Sequence, residues 1–187
     1  MKIIGISGSP NKNGNNEQII DFVLDIAQQK KYITGKILLS NYNIKPCKAC
    51  GHCKEEKKCV IKDDMNKLLP LLEEADAIIV SSPVYFGTIS AQLKAFFDRT
   101  IILRRNGFLM KNKIGAAIAI GGSRNGGQEL AIQAIHAWMH IHGMIIVGDN
   151  SHFGGIVKAP FEEDEIGKVT VKETTYKLCD LLERLKE

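Results

Sequence analysis

The chain has 187 residues, 44% apolar and 25% charged, an ordinary globular composition that excludes a disordered chain and suits one domain better than two. Its formal charge of +4 equals the local surplus of Lys45, Lys48, Lys54, Lys57, Lys58 and Lys62 over Glu55 and Glu56, so the rest of the chain is balanced and overall charge gives no case for nucleic-acid binding. The longest nearly uncharged apolar run, residues 114–122, is too short for a membrane span, and the N-terminus lacks a signal-peptide cleavage pattern, so no membrane partner and a cytoplasmic location are expected.

In chain order, an apolar strand at 3–7 leads through a loop at 7–16 into a helix with apolar residues three and four apart at 16–29. A strand at 33–39 is followed by a long connection, 41–63, and a helix at 64–74. A strand at 77–81, a loop at 83–89 and a helix at 90–103 come next. A strand at 114–120, a glycine-rich loop at 121–128, a helix at 127–142 and a fifth strand at 144–147 precede a second long connection, 150–163. Leu178, Leu181, Leu182 and Leu185 mark a last helix, while the β-branched stretch 169–175 hides its start. Strand–helix alternation predicts an α/β fold: one domain, 1–187, with five parallel strands doubly wound by helices on both faces. In such sheets ligands bind beyond the carboxyl ends of the strands, where the loops at 7–16, 83–89 and 121–128 fall.

The first of these loops offers Ser7, Ser9, Pro10, Asn11, Asn13, Gly14, Asn15 and Asn16: tight turns, neutral donors and a helix N-terminus, a combination suited to a phosphate monoester. No G-x-G-x-x-G follows the first strand, and Gly127 stands where a P-loop needs Lys, so dinucleotide and triphosphate fingerprints are absent. Pro83, Val84, Tyr85, Phe86 and Gly87 add two aromatics in a turn, and Gly121, Gly122, Ser123, Gly126 and Gly127 add backbone amides for a flat polar ring. A site with a phosphate end and an aromatic end matches flavin mononucleotide (FMN).

Four of the five cysteines form Cys47-x2-Cys50-x2-Cys53-x5-Cys59 inside the long connection, an insertion at about 45–62. Consecutive x2 spacings wrap a chain around a cuboidal cluster, so a [4Fe–4S] centre fits best. Zinc held by the four cysteines, or by three with His52, is the alternative. Cys179 lies in the apolar stripe of the last helix and reads as a core thiol. His136 and His140 lack the Glu of a zinc-protease motif, Glu162–Glu165 suits a helix N-terminal turn, and Arg104, Arg105, Lys111 and Lys113 read as solvated surface.

The sequence resembles the iron–sulfur flavoproteins, within the flavodoxin-like NADPH-dependent FMN reductase group. The likeness rests on residues 5–10 with Asn13-Gly14-Asn15, the cysteine motif, residues 82–87 running into 92–99, and residues 121–124. It implies a flavodoxin-like fold, FMN phosphate in the 7–16 loop, the isoalloxazine against residues 83–87 and 121–128, a [4Fe–4S] cluster on the four cysteines, and a homodimer or homotetramer. Asn11 stands where a basic residue is frequent, and Asn16 where Thr is usual. The expected role is electron transfer from a ferredoxin-type donor through cluster and FMN to an acceptor. An NAD(P)H-dependent FMN or quinone reductase and a zinc-stapled, non-catalytic binding module are the alternatives.

Overall fold

A computed structural model describes residues 1–185; the last two positions of the expected 1–187 domain lie outside the described residues. In order, the elements are β1 (Lys2–Ser7), α1 (Asn15–Gln29), β2 (Ile33–Leu38), α2 (Met65–Glu74), β3 (Ala77–Pro83), α3 (Ala91–Arg99), α4 (Ile101–Arg105), β4 (Ile114–Gly121), α5 (Gln128–Ile141), β5 (Ile145–Val147), β6 (Gly155–Lys158) and α6 (Glu165–Arg184). The strands pair in parallel in the order β2-β1-β3-β4-β5, with β6 also on β4. Every residue of β3 and β4 is buried, as expected for a parallel sheet covered on both faces. Side chains alternate along β1: Ile3 joins Ile19, Val23, Leu178 and Leu182 from α1 and α6, whereas Ile4 and Ile6 join Leu68, Phe96 and Trp138 from α2, α3 and α5. No helix among the described residues is long and apolar enough to cross a membrane.

Three elements differ from the sequence expectation. The fifth strand position is shared: β5 pairs with the first half of β4 and β6 with the second, so the supposed loop at 150–163 contains a strand. The four residues Gly155–Lys158 are too few to declare a strand by alternation, and the position depends on backbone approach, because a Cβ on Gly154 would overlap the Ala117 carbonyl. The last helix begins at Glu165, its end capped by Asp164, which accepts from Gly167 N at 3.0 Å. Thr174 and Thr175 return their hydroxyls to the carbonyls four residues back, both at 2.8 Å, and are fully buried, so packing outweighs β-branched propensity. The acidic run begins as a 3-10 turn, Phe161–Glu163, before this cap. Finally, the helix expected over 90–103 breaks at buried Thr100, whose hydroxyl donates to the Phe97 carbonyl at 2.7 Å. The break swings α4 toward the cysteine loop.

Candidate functional site

The first loop is held from below. Gly8 N–H donates to the Ser81 carbonyl at 2.7 Å, Ser90 Oγ donates to the Gly8 carbonyl at 2.5 Å, and a Cβ on Gly8 would come within 2.8 Å of Leu93. Only glycine permits this approach. Ser7 is buried in register with Ser81, Pro10 continues the turn, and buried Ser9 accepts from Asn11 N at 3.1 Å. Asn13 has φ 53°, and its N–H donates to Glu17 at 2.9 Å. Gly14 caps α1 without a side chain. The Asn15 and Asn16 amides therefore open the helix with no preceding helical carbonyl, the arrangement that favours an anion. Their side chains have other partners: Asn15 Oδ1 accepts from Phe161 N at 2.8 Å, and Asn16 Nδ2 donates to Ser81 Oγ at 2.7 Å.

All three loops meet at one cleft of about 220 Å³. Ser9, Asn11, Gly14, Asn15 and Asn16 line one end; Pro83, Val84, Tyr85, Gly121 and Gly122 line the rest, joined by Ile120 and Ala159, which sequence reasoning did not single out. Ser7, Pro10 and Asn13 shape the loop rather than line the cleft. Phe86 and Gly87, at φ 50° and 87°, form the turn's tip, where Phe86 is fully exposed. Ser123, Gly126 and Gly127 do not line the cleft. The Gly126 amide, expected to be free for a ring, instead donates to Gln128 Oε1 at 2.8 Å, while Gln128 Nε2 donates to the Ser123 and Val157 carbonyls at 2.6 and 3.1 Å. Fully buried Gln128 thus folds the glycine loop. Arg124 ties the loop to Asp164, whose carboxyl burial alone would raise; the bonds from Arg124 and from the Lys158 and Gly167 amides outweigh burial and hold it below its ordinary value. Space above Gly122 holds no protein atom within 4 Å of a built Cβ, so a flat ring can lie against bare backbone there. With an anion-favouring helix end opposite, the cleft suits a ligand with a phosphate at one end and a flat ring at the other.

The cysteine loop is clamped at its base. Asp63 receives Arg99 Nη1 at 2.6 Å and Nη2 at 3.0 Å, and the Lys45 and Met65 amides at 2.9 and 3.1 Å; Arg99 also donates to the Lys45 carbonyl at 2.8 Å. Both side chains of this ion pair are 1% exposed. Above the clamp, Ala49 at φ 53° and Gly51 at φ 80° reverse the chain, and the Ala49 amide donates to Cys47 Sγ at 3.4 Å. Cys47, Cys50, Cys53 and Cys59 are all free thiols and line one cavity of about 320 Å³ with Arg99 and Arg105. Four thiols around a common space, with a turn amide on sulfur, fit a cuboidal cluster. Among the described residues no three His, Cys, Asp or Glu side chains stand close enough for a single metal ion. Arg105 and Lys113 are not merely solvated: Arg105 donates to Cys53 Sγ at 3.0 Å, and Lys113 Nζ reaches the Glu73 and Ala75 carbonyls. Buried Cys179, its thiol pushed up to about 11 by burial, is the inert core residue expected. An apolar groove of about 830 Å³ between α3 and α5 meets the cleft at Tyr85 and the cysteine cavity at Asp98 and Ile101.

A parallel sheet in this strand order, with its cleft beyond the carboxyl ends of β1, β3 and β4, is a flavodoxin-like α/β fold. A WrbA-like flavodoxin from Agrobacterium tumefaciens shares it, with a TM-score of 0.69 and 16% identity over 98% of this chain and 97% of that one. Residues 1–156 match the NADPH-dependent FMN reductase family. The chain is 56% identical, over 100% of its length and 98% of the relative's, to an iron–sulfur flavoprotein of Methanosarcina thermophila. It is 45% identical, over 100% of both chains, to an iron–sulfur flavoprotein of Methanocaldococcus jannaschii. The chain belongs to the iron–sulfur flavoproteins of the NADPH-dependent FMN reductase family.

Proposed function

We propose that this single-domain, cytoplasmic protein carries FMN in the three-loop cleft and a [4Fe–4S] cluster on Cys47, Cys50, Cys53 and Cys59, and passes electrons from a ferredoxin-type donor to an acceptor. The observation that carries this reading is the coexistence of two built sites in one fold: a cleft with a helix end opposite an open glycine backbone, and a clamped cavity ringed by four thiols. When bound, the flavin supplies two-electron chemistry and the cluster single-electron steps, so no protein acid or nucleophile is required. The chain's own residues bind and orient. The α1 amides hold the phosphate, Pro83–Val84–Tyr85 and Gly121–Gly122 bracket the ring, and the Asp63–Arg99 clamp fixes the cysteines. A second copy of the chain covers the apolar groove, where Tyr85 and Ile141 are exposed, giving a homodimer or homotetramer.

The donor assignment rests on charge. All six lysines between 45 and 62 are exposed around the cysteine cavity, a positive rim that steers an acidic redox protein. Exposed charges are screened over about 10 Å at 0.1 M salt, so reduction by ferredoxin, followed by stopped flow, is expected to slow as ionic strength rises. Reversing Lys54, Lys57 and Lys58 to Glu is expected to slow it at low salt without changing flavin content. The family's description favours a second reading, an NAD(P)H-dependent FMN or quinone reductase. Rapid reduction by NADPH, with a salt-independent ferredoxin rate that ignores those reversals, would establish that reading instead.

A further inference from the structure

Two donors reach cysteine-loop sulfurs among the described residues: the Ala49 amide on Cys47 and the Arg105 guanidinium on Cys53. They differ in kind. An amide brings a dipole, whereas Arg105 brings a full charge and a rigid planar fork. Its position follows from the Thr100 break, which turns α4 so that its last residue faces the cavity, and Asn106 anchors the same turn to the opposite side of the loop through the Lys57 carbonyl at 3.3 Å. Arg99 approaches the cavity from the base. Its Nη atoms are committed to Asp63 and Lys45, while its Nε–H is buried without an acceptor. Burial alone would lower the Arg99 pKa; the Asp63 bond and the neighbouring Cys59 sulfur outweigh that and raise it. Arg105 and the six lysines are all exposed, but none of the lysines donates to a cysteine sulfur among the described residues.

We propose that Arg105 is a positioning residue for the cluster: it donates a charge-assisted hydrogen bond to the Cys53 thiolate and so makes one-electron reduction of the centre more favourable. This rests on the reading that the four cysteines hold a cluster. Reduction adds one electron and one negative charge, spread onto the sulfurs, with no bond made or broken. A cationic N–H fixed at 3.0 Å from one sulfur stabilises the reduced form more than the oxidised form. The diffuse lysine rim acts on an approaching partner, and Arg105 acts on the centre itself. The two effects are separable, because lysine steering acts across solvent, where salt screens it over about 10 Å, whereas the Arg105–sulfur contact spans 3.0 Å, well inside that length.

The test is a dithionite titration of the whole anaerobic protein, with the cluster followed by electron paramagnetic resonance and iron, sulfide and FMN counted in parallel. Arg105→Gln is expected to keep iron and FMN at wild-type levels and to shift the reduction equilibrium about tenfold toward the oxidised form, about 59 mV for one electron. Arg105→Lys keeps the charge but not the fork and is expected to fall between the two. Lys54→Gln is expected to leave the potential unchanged. Should Arg105→Gln lose iron, Arg105→Lys decides: a wild-type potential there overturns the proposal. Full iron with unshifted potentials in both Arg105 variants also overturns it. Wild-type protein without iron would instead refute the cluster reading, and the proposal with it.

Discussion

A side chain added at residue 122 would enter the cleft without meeting protein, and Gly122 does not need a left-handed backbone. Gly122→Val therefore keeps the fold and fills the space given to the ring. Asn15 probes the other end. Asn15→Asp keeps an oxygen that can accept from Phe161 N but replaces the Nδ2 donor with an anionic oxygen beside the phosphate position. An acidic residue in a first turn is itself favourable to the helix. Two like charges 4 Å apart repel by about 1 kcal/mol in water and by several times more near a protein surface. Fluorescence titrations of the apoprotein are expected to show FMN weakened at least about tenfold by Asn15→Asp with riboflavin nearly unaffected, and both ligands weakened by Gly122→Val. Equal losses of FMN and riboflavin in Asn15→Asp would move the phosphate elsewhere. At this scale the sequence was most informative where residues are gathered by local spacing: the cysteine motif, which the fold brings to one cavity, and the first loop, which lines one cleft. Gln128 and Arg105 were not legible as functional, because their partners, Val157 and Cys53, are brought to them only by the sheet and by the Thr100 break.

Helix α5 and the turn between α3 and α4 are joined by a buried network. Thr100 Oγ1 gives its proton to the Phe97 carbonyl and accepts from Trp138 Nε1 at 2.9 Å, which leaves its other lone pair for His142 Nε2–H at 2.9 Å. The His142 Nδ1 is buried without a partner, so a proton added there would have no acceptor. Burial first, then the Arg104 charge, pushes its pKa down to about 4. Because the folded value lies below the unfolded value near 6.5, the unfolded chain takes up the proton first as pH falls. The contribution is fully present above about pH 6.5 and is lost toward pH 4, up to about 3 kcal/mol. Urea unfolding of the FMN-loaded protein at pH 7 and pH 4.5 is expected to show a drop that His142→Gln reduces; an unchanged drop in the variant would assign the acid sensitivity to other groups. Elements were legible in the sequence where they are long and periodic, as α1 and β4 are. Strand β6, the start of α6 and the break at Thr100 were not, since each depends on tertiary packing that overrides local pattern: backbone approach at Gly154, burial of Thr174 and Thr175, and a hydroxyl returned to Phe97.

For the molecule as a whole, alternation of strand and helix was enough to reach the class, the strand count of five positions and the end of the sheet that carries the cleft. Charge was legible too, because the lysine surplus is confined to one short segment whose lysines are all exposed. What composition could not supply is the geometry joining the two sites: the groove that touches the cleft at Tyr85 and the cysteine cavity at Asp98 arises from the packing of α3 against α5, sealed by the Phe97–Trp138 stack at 4.2 Å. A protein built this way is expected to carry both cofactors at once. Anaerobic purification followed by a visible spectrum and counts of iron, sulfide and flavin tests that most directly. The expected result is resolved yellow flavin bands beneath a broad brown shoulder, with about four iron and four sulfide per FMN, the iron lost on Cys→Ala change at 47, 50, 53 or 59 and retained in Cys179→Ala. Stoichiometric zinc with negligible iron, or iron that survives loss of those cysteines, would contradict it.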